Sequence, residues 1–120
     1  MKKLAFFVSG GGTDMQSVID GIEAGRINAQ AAVVVSSKDG VFALERAKRH
    51  GIPCEVVASK GKTPAERDAA LIEIVERYGV DLIVLAGYLS ILSPEFVARY
   101  PKRIINIHPA LLPCSLPTRS

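Results

Sequence analysis

Short apolar runs alternate with stretches of helical periodicity along the chain. Residues 4–8 form an unbroken apolar run that includes Phe6, Phe7 and Val8, too short for a helix and followed by Gly10, Gly11 and Gly12, and so predict a buried strand. Beyond the glycines, Met15, Val18, Ile19 and Ile22 recur at i, i+3, i+4 and i+7. They mark one face of a helix that Thr13 or Asp14 can cap and Gly25 can end. Residues 31–35 are a second, valine-rich strand, 41–50 a helix stopped by Gly51 and Pro53, and 54–57 a short third strand. Thr63-Pro64-Ala65-Glu66 has capping-box spacing with proline at the first helical position. The helix it opens shows Leu71, Ile74, Val75 and Tyr78 on one face and closes at Gly79. Residues 82–86 and 104–107 complete the strands, with a short helix from Ser93-Pro94 through Tyr100 between them.

Strands alternating with helices predict an α/β fold of three layers. Its sheet is mostly parallel, of about five strands, with helices on both faces and right-handed crossovers. Ligands of such sheets sit beyond the carboxyl ends of the strands. Here those ends carry residues 9–14, 87–92 and 106–109.

Composition narrows the function classes. With 48% hydrophobic and 22% charged residues the chain is neither disordered nor low-complexity. A net charge of +3, without a basic stripe interleaved with aromatics, argues against a nucleic-acid surface. No apolar run approaches the ~20 residues of a membrane span. Residues 1–8 read as a strand rather than a secretory signal, because no small-x-small site follows them. We expect a soluble, cytoplasmic protein with Cys54 and Cys114 as reduced thiols. Two isolated cysteines with His50 and His108 do not make a zinc pattern, so no metal is expected.

Two local patterns carry candidate chemistry. The Ser9-Gly10-Gly11-Gly12-Thr13-Asp14 loop lets backbone amides approach an anion at a helix N-terminus. No Gly-Lys-Ser/Thr follows it, Met15 stands at the third glycine of the dinucleotide fingerprint, and no acid closes the second strand. Taken alone, the loop fits an anion cradle or a tight turn. Asn106 and His108 lie two residues apart at a strand end, where both side chains share a side. An amide can stabilise a developing oxyanion and an imidazole can pass a proton; equally, both could satisfy local backbone groups. His50, in the last turn of its helix, reads as structural.

Together, residues 8–20 (VSGGGTDMQSVID), 43–53 (ALERAKRHGIP), 81–94 (DLIVLAGYLSILSP) and 105–113 (INIHPALLP) resemble the phosphoribosylglycinamide formyltransferase family over residues 1–113. The resemblance implies a Rossmann-like formyltransferase fold. It also implies transfer of a formyl group from 10-formyltetrahydrofolate, the cosubstrate, to the amine of glycinamide ribonucleotide in purine biosynthesis. It implies that Gly12, Thr13 and Asp14 hold the ribonucleotide phosphate and that Leu89, Ser90, Ile91 and Leu92 line a folate pocket with Asn106. Asn106 would bind the oxyanion and His108 would move the proton. Neither nucleic acid nor membrane is an implied partner.

The chain departs from the family pattern in places. Asp14 stands where the family usually has asparagine, Pro64 where it often has an arginine, and Ser90 where some members have one. A carboxylate at position 14 caps a helix well but repels a phosphate. After Pro113 the resemblance is lost, so residues 1–120 read as a single, incomplete domain with 114–120 a divergent tail. The family's aspartate partner of the histidine lies beyond that point, and weak or absent turnover is the expectation. The alternative reading is a non-catalytic module that binds a phosphoribosyl ligand.

Overall fold

In the computed structural model, which describes residues 1–58, 60–90 and 92–107, the alternation resolves into strands and helices in strict succession. They are β1 (Lys2–Val8), α1 (Thr13–Glu23), β2 (Ala29–Ser36), α2 (Phe42–Arg49), β3 (Cys54–Val56), α3 (Pro64–Arg77), β4 (Leu82–Ala86), α4 (Pro94–Arg99) and β5 (Ile104–Ile107). Strand β1 starts earlier than its apolar run because Lys2 and Lys3 pair with Ala29 and Gln30, extending the ladder through exposed residues. Hydropathy registers burial, and backbone pairing continues past it.

The five strands are all parallel, in the order β3-β2-β1-β4-β5. The chain steps outward from β1 through β2 to β3, then returns through α3 to the other side of β1. Crossovers of one hand that reverse direction must place their helices on opposite faces of the sheet. The packing shows this division. Leu4, Phe6 and Val8 of β1 pack with Met15 and Ile19 of α1 and Ala43, Leu44 and Ala47 of α2. The alternate residues Ala5 and Phe7 pack on the other face with Leu71, Ile74 and Val75 of α3 and Phe96 and Tyr100 near α4. Phe6 and Phe7 are both wholly buried, one on each face, which is why β1 reads as continuous rather than alternating.

Helix ends follow the sequence at α3 and depart from it at α1. The Thr63 hydroxyl accepts the Glu66 N–H at 3.1 Å while the Glu66 carboxylate accepts the Thr63 N–H at 2.8 Å, a complete capping box. For α1 the cap is Gly12, with φ 80°, and no side chain caps the helix, contrary to the expectation for Thr13 or Asp14. Glycine's freedom at positive φ turns the chain there, and Thr13 becomes the first helical residue. No described helix is long and apolar enough to cross a membrane.

Candidate functional site

The reversal of strand order flanks β1, so the crevice between the loops after β1 and β4 is where such a sheet binds ligands. Ser9, at the end of β1, stitches that crevice together. Its buried hydroxyl accepts the Leu89 N–H from the β4 loop at 2.8 Å and lies 2.6 Å from the Ser37 hydroxyl at the end of β2. Three strand ends thus meet at one oxygen.

The glycine loop is held from behind. The Gly10 carbonyl accepts the Ala43 N–H at 3.1 Å, the Gly11 carbonyl accepts Arg46 Nε–H at 2.7 Å, and the Gly12 carbonyl accepts the Gln16 N–H at 2.8 Å. In a trans peptide the N–H points opposite to the C=O. The N–H groups of Gly11, Gly12 and Thr13 are therefore turned away from those partners, and no described residue accepts from them. A left-handed Gly12 followed by a right-handed Thr13 is the backbone pattern of an anion nest, at the positive end of α1. A side chain at Gly12 would be blocked as well, since an added Cβ would lie 2.8 Å from the Ala43 Cβ. Asp14 sits in the first turn, half-buried, with its carboxylate beside this electropositive end.

The β4 loop places the expected pocket residues unevenly. Gly87 turns the chain with φ 74°, and the Tyr88 ring then packs 5.3 Å from Phe7. Burial raises the Tyr88 phenol pKa, opposed by Ser90 and the Arg67 charge. Leu89 is 75% exposed, an apolar side chain standing open at the crevice, whereas Leu92 packs on the α3–α4 side of the core. Ser93 caps α4 by accepting the Phe96 N–H at 3.0 Å and donates its own proton to Asp68 of α3 at 2.5 Å. The other Asp68 carboxylate oxygen is buried without a partner among the described residues.

Asn106 lies on β5 opposite Leu85, exposed and on the same face as Ile104. His108 and Ile91 fall outside the described residues. His50, at the C-terminal cap of α2, reaches across to α1, its Nδ1 2.7 Å from a Glu23 carboxylate oxygen and its Nε2 3.1 Å from Gln16 Nε2. Asp20, Glu23 and His50 form the group of metal-type side chains that gathers among the described residues, their ligand atoms within 4.8 Å of one another. Sequence reading placed Ser9 in the glycine loop without its bridging bonds, and missed Ser37, Gln16, Arg46 and Asp68 as parts of this region. Their partners are distant in sequence, and only the capping pattern at Ser93 gave a local hint.

The profile described as formyl transferase matches residues 2–115. The chain belongs to the formyl transferase family. Within that family it is 45% identical over 114 residues to the phosphoribosylglycinamide formyltransferase of Haemophilus influenzae, a match covering 94% of this chain and 54% of that protein. The enzyme of the same name from Escherichia coli is 39% identical over 111 residues, with 92% and 52% covered. Among solved structures, glycinamide ribonucleotide transformylase 1 from Geobacillus kaustophilus superimposes with a TM-score of 0.86 at 35% identity, over 95% of this chain and 61% of that one. This formyl transferase chain thus spans about half the length of the curated relatives it matches, and its five-stranded parallel sheet is the family's Rossmann-like fold.

Proposed function

We propose that this chain serves the transfer of a formyl group from 10-formyltetrahydrofolate to the amine of glycinamide ribonucleotide. The observation that carries the reading is the glycine loop: three carbonyls tied back at 2.7–3.1 Å and three N–H groups turned outward at a helix N-terminus. That arrangement suits a phosphate monoester, the anionic end of such a substrate. Gly12, Thr13 and Asp14 hold the phosphate through their backbone N–H groups in this reading, against the repulsion of the Asp14 carboxylate. Leu89, Ser90, Ile91 and Leu92 border the folate, and the open Leu89 side chain beside a tethered backbone fits a flat ring with polar edges. The folate supplies an activated one-carbon unit. Asn106 donates a hydrogen bond to the formyl oxygen as charge builds on it, and His108 carries the proton leaving the attacking amine.

Calorimetric titration with glycinamide ribonucleotide tests the reading, followed by an assay of formyl transfer against His108→Ala. Binding with turnover above the His108→Ala background supports the transferase. Binding without such turnover favours the alternative, a module that holds a phosphoribosyl ligand. No heat at millimolar ligand would remove both.

A further inference from the structure

Arg46 has no place in the reaction just outlined, yet it is the side chain most tightly engaged with the glycine loop. From α2 its guanidinium lies 4.7 Å from the Phe42 ring centroid, donates from Nε to the Gly11 carbonyl at 2.7 Å and from Nη1 to Gln16 Oε1 at 3.3 Å. A guanidinium only donates, so Gln16 must turn its oxygen toward Arg46 and its NH₂ the other way. That NH₂ then donates to Asp20 Oδ1 at 2.8 Å and to His50 Nε2 at 3.1 Å. With Nε2 accepting, the His50 proton sits on Nδ1 and is donated to Glu23 at 2.7 Å. One cation thereby fixes the orientation of an amide, the tautomer of a histidine and the direction of a loop peptide. The gathering of Asp20, Glu23 and His50 is accounted for by the same bonds.

We infer that Arg46 is the positioning residue of the phosphate site, holding the Gly11–Gly12 peptide so that the Gly12 N–H faces the ligand. This rests on the reading of the glycine loop as a phosphate cradle. With its carbonyl bound by a cation, the peptide is also polarised, which strengthens its N–H as a donor. Without Arg46 the Gly11–Gly12 peptide loses its only described carbonyl partner and is free to rotate, the motion glycines on both sides permit.

The test is a titration of the full chain with glycinamide ribonucleotide, followed by the backbone amide signals of Gly11, Gly12 and Thr13 and the ring nitrogens of His50. Wild type should show saturating shifts at the three loop amides and an Nδ1-protonated His50. Arg46→Met should weaken binding roughly tenfold while signals remote from the loop stay in place, and His50 should lose its single tautomer. Arg46→Lys should recover little, because one ammonium cannot reproduce the fork that spans Gly11 and Gln16. Should Arg46→Met unfold the chain, Arg46→Lys decides alone, since loss of affinity in an intact spectrum supports the inference. Wild-type affinity in either folded variant would overturn it. If the wild-type loop amides do not respond to the ribonucleotide, the phosphate reading itself has failed, and that is seen before any variant is compared.

Discussion

Gly12 meets two demands that no other residue type satisfies together. Its φ of 80° is in the left-handed region, and the space where a Cβ would go is taken by Ala43 at 2.8 Å. Gly10 has open space and an ordinary φ. Gly12→Ala should therefore cost about 1–3 kcal/mol of stability, and Gly10→Ala within about 0.5 kcal/mol, measured by urea denaturation of both. Asp14 works in the opposite sense to the loop it closes. At about 4 Å in water a unit charge repels a unit anion by about 1 kcal/mol, so Asp14→Asn should tighten glycinamide ribonucleotide binding roughly fivefold in calorimetry, more at low salt. An unchanged or weaker affinity would put the phosphate elsewhere. At this scale the turn at Gly12 was legible because glycines after a strand stand out; Asn106 falls on β5 as its spacing predicts, and His108 lies outside the described residues. Arg46 and the bridging role of Ser9 were not legible, because their partners lie 35 and 80 residues away and nothing local points to them.

Elements are joined at the crevice by few atoms, and this makes their coupling testable. Ser9→Ala removes the acceptor of the Leu89 N–H and the partner of the Ser37 hydroxyl in a buried place. A loss of about 1–3 kcal/mol is expected, together with faster hydrogen exchange at the Leu89 amide. Exchange unchanged at Leu89 would mean that the β4 loop is held by its own packing. The Tyr88 phenol reports on the same loop. Its pKa is raised, chiefly by burial, so the folded chain keeps a proton that the unfolded chain releases near pH 10. Stability contributed by the neutral phenol is present below that pH and is lost as pH climbs past it. Tyr78 and Tyr100 are raised too but remain in both proteins, so they cancel in a comparison with Tyr88→Phe. The stability difference should shift in favour of phenylalanine as pH rises above about 10, in denaturation curves taken across that range. Element types and centres were legible from periodicity, as with Leu82–Ala86 and the Thr63 capping box. The α1 cap was not: the familiar capping residues Thr13 and Asp14 are adjacent, and only the backbone geometry gives the turn to Gly12.

For the molecule as a whole, strand order is what places the site, and it is invisible to a reading that runs along the chain. The succession of strand and helix predicts a parallel sheet, but β4 could follow β3 on the same side. It returns beside β1 instead, pairing Leu4 with Leu82 through Phe7 with Leu85, and that return opens the crevice. The same order leaves β5 at the edge, with β4 its one described neighbour. Ile105 on this edge is 44% exposed, whereas Ile104 and Ile107 rest against the two halves of the core. A parallel sheet is normally covered on both faces, so an exposed isoleucine on an edge strand is a point for adventitious strand pairing. The chain should associate with rising concentration, seen as growing mass in light scattering. Ile105→Lys should suppress that growth while leaving stability within about 0.5 kcal/mol, because lysine adds a charge to the edge and removes little buried contact. Fully retained association in Ile105→Lys would shift the contact to another exposed apolar group, of which Leu89 at 75% exposure is the largest on the crevice side. Association through Leu89 would be competed by ligand filling the crevice, whereas association through β5 would not, so adding 10-formyltetrahydrofolate separates the two surfaces.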